Sequence, residues 1–224
     1  MITLLSIYNK LLNKYGYQGW WPLIEHEGNN PTKTGSIKGY HVNDYSFPKN
    51  DFQRFEICIG VILTQNTNWV NVEKSLNNLY KNDFLSPEKI INNIEKVKEL
   101  IKPSGYFNIK AGYLFNFSKF YLSLKARLPS RDELLSVKGI GKETADSILL
   151  YAYNQPIFVV DVYTKRIFNN LRIINSINYE EIRAFFENEL PKDYRLFQEF
   201  HALIVEHAKN HYIKKPYGLN DFLV

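Results

Sequence analysis

The chain has 224 residues, 45% of them hydrophobic and 23% charged, with a formal net charge of +5. That balance supports one large domain, or two small lobes sharing a core, and excludes an intrinsically disordered chain. No apolar run reaches the roughly 18 residues of a membrane span, so no membrane partner is expected, and a pI of about 9.0 suits a polyanionic partner without identifying one.

The opening stretch, MITLLSIYNKLLNKYG, sets lysines inside an apolar helical pattern and lacks a small-residue cleavage site, which predicts a first helix rather than a signal peptide. Residues 20–50 are rich in Gly, Asn and Pro and are expected to be irregular; long loops of this kind in a compact domain often carry function. Apolar residues at three- and four-residue spacing then predict helices over 52–64, 68–80, 107–125, 132–137, 142–153, 162–171, 179–190 and 194–208. Pro48, Pro87, Pro103, Pro129, Pro156 and Pro191 all fall between these stretches. No convincing alternating run occurs, so the fold class is all-α, and residues 209–224 are expected to form an irregular tail. The single cysteine, Cys58, lies in the apolar run FEICIGVIL and reads as a buried thiol. One cysteine permits no internal disulfide, no all-cysteine zinc site and no four-cysteine iron–sulfur cluster, and suits a cytoplasmic protein.

The most informative stretch runs from Pro129 to Arg166. Ser130 with Glu133 forms a capping box ahead of a short helix, Gly139-Ile140-Gly141 follows, and a second helix starts at Lys142. Glycines let the backbone turn sharply, and the N–H groups of the hairpin and of the second helix's first turn can face an anion. Lys138 and Lys142 flank the turn. Taken alone, the pattern is either a phosphate grip or a plain tight turn between helices. The apolar run Pro156–Val160 then delivers Asp161 to the start of another helix, VYTKRIFNN, where it is a helix N-cap, an outward-aimed carboxylate, or both.

Together, VKGIGKETADSILLYA and VVDVYTKRIF resemble the helix-hairpin-helix, Gly/Pro-rich loop and aspartate signature of the endonuclease III superfamily of DNA glycosylases. The similarity extends to IGVILTQNTNWVNVEKSLNNL, IKPSGYFNIKAGYL and HALIVEHAKNHYIKKP, in order, and so covers about residues 40–216. It implies a catalytic role for Asp161, a base-replacing role for Gln65, and a grip on DNA phosphates by Gly139, Gly141 and Thr144, with Lys138 and Lys142 adding charge. It also implies a monovalent cation at the hairpin backbone, duplex DNA as partner, and a monomer. A Gln at a helix end is, in the plainer reading, simply solvated.

Two departures from that pattern narrow the expectation. Members that also cleave the backbone carry a lysine just before the Thr-Ala of the second helix, where it forms a Schiff base with the sugar; here that position is Glu143. Lys142 sits about 100° around the helix axis from it and is not expected to substitute, so the resemblance implies a monofunctional enzyme. The family's cluster cysteines align with His211, Gly218 and Asp221, so no iron–sulfur cluster is expected and no side-chain metal site; His211 reads as a surface or loop-packing residue. Lys209, Lys214 and Lys215 are candidates for holding the tail instead, with Lys209 a candidate modified lysine carrying a carbamate.

The segment Tyr15–Pro22, with YSFPKNDFQRFEICIGVILTQNT, resembles the 3-methyladenine DNA glycosylases of the superfamily, in which Trp-Trp-Pro and Phe positions line the base pocket. This assigns Trp20, Trp21, Pro22 and Phe47 to the pocket, with Lys215 at its mouth. The alternatives are tryptophans that plug a lobe interface and a solvated loop lysine. The expected architecture is two helical lobes with the active-site cleft between them: residues 36–125 in a central lobe, residues 1–35 and 126–224 in a terminal lobe that holds the helix-hairpin-helix (129–153). The expected reaction is release of an alkylated purine, 3-methyladenine first. Alternatives are 7-methylpurines, oxidised or mismatched bases, or a non-catalytic DNA-binding module.

Overall fold

In the computed structural model, which describes residues 3–32 and 38–223, the described residues form eleven α-helices and no β-strand, only an isolated bridge between Asn29 and Lys38. Helix α1 (Leu4–Tyr15) begins at a reciprocal cap in which Thr3 and Ser6 bond each other's backbone. The described residues between 16 and 50 then run without a helix. Helix α2 (Asp51–Leu63), capped by Asn50, is buried continuously from Phe55 to Leu63, Cys58 included. It packs against α3 (Trp69–Lys81) and α6 (Phe107–Ser123), and α6 also receives α4 (Pro87–Asn92) and α5 (Ile94–Leu100).

The second group begins with α7 (Arg131–Ser136) and α8 (Lys142–Ser147), which runs on as a π-helical turn over Ile148–Ala152. Helix α9 (Val162–Asn170), α10 (Tyr179–Glu189) and α11 (Tyr194–His211) follow, with α11 packed on α1 and α9. Phe186 of α10 stacks on Phe158 at 4.0 Å between ring centres and meets Phe168 of α9 edge-on at 4.8 Å. The two groups meet where α2 lies against α8 and the π turn. Of the expected lobe boundaries, 125/126 falls at a bend where Lys125 and Ala126 both have positive φ, and 35/36 lies outside the described residues.

Three expectations from spacing are corrected. Helices α4 and α5 were not foreseen, because six and seven residues are too few to display a period. They owe their existence to caps: Ser86 with Pro87 in the first turn, and Asn93, which ends one helix and starts the next. The helix expected over 142–153 widens to π geometry after Ser147, a feature that recurs at functional sites. Helix α11 extends to His211, which places Lys209 on a helix rather than in the tail.

The tail is held by a buried polar network. Tyr15 shares a hydrogen bond with His207 Nδ1 at 3.0 Å, and His207 Nε2 lies 3.0 Å from Asp221 Oδ1, a close contact rather than an aligned hydrogen bond. Tyr212 donates to Asp221 Oδ2 at 2.6 Å and Leu223 N–H to Oδ1 at 2.9 Å. His211 packs its ring on His207 and Phe222, and its carbonyl accepts from Gly218 N–H. Among the lysines suggested for this role, Lys209 instead pairs with Glu206 at 2.9 Å, and Lys214 and Lys215 are exposed.

Burial alone would raise the Asp221 carboxyl, but the close contact with His207 and the hydrogen bonds from Tyr212 and Leu223 outweigh it and hold it below its ordinary 3.8. A carboxyl depressed in the folded state contributes stability above its unfolded value, which is lost as pH falls through the folded one. Asp221→Asn is therefore expected to lower stability at pH 7 by about 1–3 kcal/mol and to flatten the fall of Tm below about pH 4. Thermal melts from pH 3 to 7 check this; curves parallel to wild type would refute it.

Candidate active site

Asp161 is set by a rigid approach. Phe158, Val159 and Val160 are almost wholly buried, and Phe158 N–H donates to Glu187. The segment ends at Asp161, the N-cap of α9, whose Oδ1 accepts from Thr164 N–H at 2.7 Å and from the Thr164 hydroxyl at 2.8 Å. The N-cap reading of Asp161 therefore holds, while the carboxylate is buried against His201 rather than aimed outward. One oxygen caps the helix, and the other, Oδ2, lies 3.8 Å from His201 Nε2.

Around this carboxylate the structure gathers rings. Trp20 meets His201 edge-on at 5.9 Å and contacts Trp21 and Tyr151 at 6.0 and 6.3 Å; Trp21 packs on Tyr151 and Trp69 at 5.2 and 5.3 Å. Trp21 is buried and Trp20 partly so. Phe47 belongs to a neighbouring layer. It packs on His41 at 4.7 Å and His26 at 5.1 Å, with Lys49 over its ring, and His41 Nε2 ties this layer to the Trp21 carbonyl at 3.0 Å. Pro22 lines a different cavity of about 110 Å³, together with Glu56 and Trp69. Lys215, on a cis Lys215–Pro216 step, is exposed and not packed into the rings. The expected pocket is thus brought together for Trp20 and Trp21, adjacent for Phe47, and not assembled for Pro22 or Lys215.

A cleft of about 260 Å³ opens where the end of α2 meets α8, lined by Thr64, Gln65, Asn66, Glu143, Thr144 and Ser147. Gln65 is not merely solvated: its Nε2 donates to the Gly139 carbonyl at 3.0 Å and to the Thr144 hydroxyl at 3.2 Å, clamping α2 to the hairpin. Water reaches Glu143, yet protein surrounds it within the cleft. That confinement pushes its carboxyl up to about 7, the Asp161 charge adding to the rise and Lys165 opposing it.

Behind the hairpin stands a charge network. Asp146, fully buried, accepts from Arg131 Nε at 2.6 Å and from the Tyr179 hydroxyl at 2.8 Å. Arg131, Arg183 and Lys142 converge on Glu180 at 2.9, 3.0 and 3.2 Å. Burial would raise Glu180, but these three cations hold it down at about 2. Lys142, expected to grip DNA, is therefore ion-paired while staying half exposed, whereas Lys138 is exposed. On α11, Lys209, the candidate modified lysine, pairs with Glu206 at 2.9 Å.

Three residues that sequence reasoning missed hold the site: Tyr151, His201 and Glu199. The Glu199 carboxylate, 2% exposed, accepts from Gln18 N–H at 2.6 Å and from the Tyr45 hydroxyl at 2.9 Å. It thereby fastens both aromatic loops to α11, and burial pushes it up to about 7. The available signal was QEFHALIVEH, polar residues falling on the buried face of an otherwise apolar helix.

A family profile described as HhH-GPD superfamily base excision DNA repair protein matches residues 59–192. A protein of Methanocaldococcus jannaschii, provisionally named as a DNA repair glycosylase, is 44% identical over 223 residues, covering 94% of this chain and 89% of its own. Endonuclease III of Thermotoga maritima is 30% identical over 152 residues, 66% of this chain and 71% of that one. Among solved structures, H. pylori 3-methyladenine DNA glycosylase (MagIII) bound to 1,N6-ethenoadenine superposes with a TM-score of 0.60 at 34% identity, over 70% of this chain and 85% of that one. A trapped endonuclease III–DNA covalent intermediate gives 0.72 at 18% identity over 96% and 90%, a likeness of fold.

Gly139 has φ +102°, and a Cβ there would stand 2.2 Å from the Tyr113 ring, whereas one on Gly141 would meet open space. Gly139→Ala is expected to destabilise by about 1–3 kcal/mol and Gly141→Ala by less than about 0.5 kcal/mol. Denaturant melts of the pair decide; equal losses would refute the contrast.

Proposed function

Because this chain belongs to the HhH-GPD superfamily of base excision DNA repair proteins, we propose that it is a monofunctional DNA glycosylase that hydrolyses the N-glycosidic bond of alkylated purines in duplex DNA, 3-methyladenine foremost. The observation that carries this reading is the Asp161 carboxylate, with one oxygen fixed by Thr164 and the other turned toward an aromatic cluster. The 34% identity to the H. pylori 3-methyladenine enzyme supports the substrate class.

A purine methylated at N3 carries positive charge, and a cationic π-system gains about 0.5–2 kcal/mol per contact with an electron-rich ring. Trp20, Trp21 and Tyr151 offer such rings. The same charge lets the base depart with the bonding pair from C1′ without first taking a proton. The extruded nucleotide then presents a sugar of oxocarbenium character. Asp161 stabilises that charge and accepts a proton from water as its oxygen bonds C1′, giving free base and an abasic site. Strand cleavage would need an amine attacking C1′; the position assigned to that amine holds Glu143, which lines the cleft.

The hairpin supplies the grip on the DNA backbone. Gly141 faces open space at the start of α8, where no side chain caps the helix and the positive end of its dipole lies. The carbonyls of Val137, Lys138 and Gly139 each accept one hydrogen bond, from Ile140 N–H, Asn116 and Gln65. Each keeps a second lone pair, an oxygen donor set that suits a monovalent cation. No chemical step depends on such an ion. The protein is expected to act as a monomer, and no described helix is long and apolar enough to cross a membrane.

Duplex DNA treated with a methylating agent tests the proposal. Wild type is expected to release 3-methyladenine, with strand breaks only after alkali and no borohydride-trapped adduct. Asp161→Asn should lower the rate by about 10²–10³-fold while DNA binding persists. A trapped adduct would overturn the monofunctional assignment, and release confined to oxidised or mismatched bases would overturn the substrate.

A further inference from the structure

His201 is buried, 5% exposed, and belongs to none of the motifs that carry the sequence resemblance's catalytic roles. Its Nδ1 lies 2.7 Å from the Tyr151 hydroxyl, and its Nε2 has no hydrogen-bond partner among the described residues while lying 3.8 Å from Asp161 Oδ2. We infer that His201 is a positioning residue for Asp161, a neutral imidazole whose Nε2–H orients the carboxylate oxygen left over by the helix cap. This inference rests on the proposed role of Asp161 and deepens it.

The tautomer follows from the two ends of the ring. The Tyr151 hydroxyl can give its one proton to Nδ1 at 2.7 Å or to the Gln198 carbonyl at 3.2 Å. Were Nδ1 itself protonated, the Nε2 lone pair would face a carboxylate and repel it. Tyr151 donating to Nδ1 leaves Nε2–H toward Asp161, so every polar atom in the chain has a complementary neighbour. At 3.8 Å the contact is too long for a hydrogen bond, and a small turn of the carboxylate about its anchored Oδ1 brings it to about 3 Å. Burial lowers the imidazole below its ordinary value, the Asp161 charge opposing. The ring thus donates without placing a full positive charge beside Asp161, which would cancel the field that a cationic sugar needs.

The other titratable groups around the pair are Tyr151 on the π turn, held protonated by burial, Glu143 on α8, raised to about 7, and Glu199 on α11, also raised to about 7. All three are retained in each variant below, so differences between variants report on His201.

Single-turnover release of 3-methyladenine from methylated duplex DNA is compared for His201→Phe, His201→Asn and His201→Gln from pH 4.5 to 8, alongside Asp161→Asn and DNA-binding titrations. A Gln side chain places an amide N–H near the Nε2 position, whereas Asn reaches only the Nδ1 position. Phe and Asn should therefore slow release on the order of 10- to 100-fold with the Kd for DNA unchanged, and shift the acid limb of the profile to higher pH, because Asp161 loses a donor to its charged form. Gln should recover most of the rate and the wild-type limb. Equal behaviour of Asn and Gln, an unmoved acid limb, or a loss confined to Kd would overturn the inference while leaving the glycosylase reading intact, provided Asp161→Asn is inactive. If wild type itself releases no base, the glycosylase reading fails and the role of His201 falls with it.

Discussion

Two hydrogen bonds from Thr164 to one oxygen of Asp161, 2.7 and 2.8 Å long, are the contacts on which the site depends. An N-cap satisfies a backbone donor at a helix start and commonly contributes about 1 kcal/mol, but here it also fixes the direction in which the second oxygen looks. The cap can be rigid only because the chain leading to it is: Phe158 is stacked on Phe186, and Val159 and Val160 are buried. A helix cap thus becomes a mounted carboxylate, and the apolar run before it is as much part of the site as the aspartate itself.

The same device recurs elsewhere: a buried or half-buried carboxylate joins segments far apart in the chain. Glu199 fastens Gln18 and Tyr45, and so both aromatic loops, to α11. Asp146 and Glu180 lock α7, α8 and α10 together through two arginines. Asp221 holds the tail to His207 and Tyr212. Removing one partner from such a group strands a desolvated charge, which costs far more than a surface ion pair contributes. Loops that could otherwise fluctuate independently are therefore placed relative to a helical frame, and the base pocket proposed for the loop tryptophans needs that placement.

The long helices and the hairpin were legible in the sequence because each follows a local rule: apolar periodicity for α2, α3, α6 and α11, a capping box for α7, glycine geometry at Gly139. Asp161 was legible for the same reason, since its position after a buried run and before a helix is local. The short α4 and α5 escaped because their length defeats any periodicity test. Long-range partners escaped more completely. Nothing local says that Glu199 reaches back 181 residues to Gln18, that Gln65 finds Gly139, or that His207 meets Asp221. Polar side chains on the buried face of α11 mark that partners exist without saying which.

Electrostatics around the site follow from enclosure by protein, complete at Glu199, His201 and Tyr151 and partial at Glu143, which water still reaches. It raises Glu143 and Glu199 to about 7, lowers His201, and holds Tyr151 protonated. In each case the neutral form is favoured, as desolvation requires. Like Asp161, Glu199 accepts from a backbone N–H and a hydroxyl; what sets Asp161 apart is its place as N-cap of α9, where the helix dipole favours a negative charge. A neutral His201 leaves its field uncompensated, and a low local dielectric lets that field act over a longer range than water would permit. A site arranged in this way favours a cation at the position faced by Asp161 Oδ2, which in the proposed reaction is the departing base or the sugar it leaves behind. The aromatic rings beside it favour the same sign of charge, so the two parts of the pocket, built from different stretches of chain, act on one electrostatic requirement.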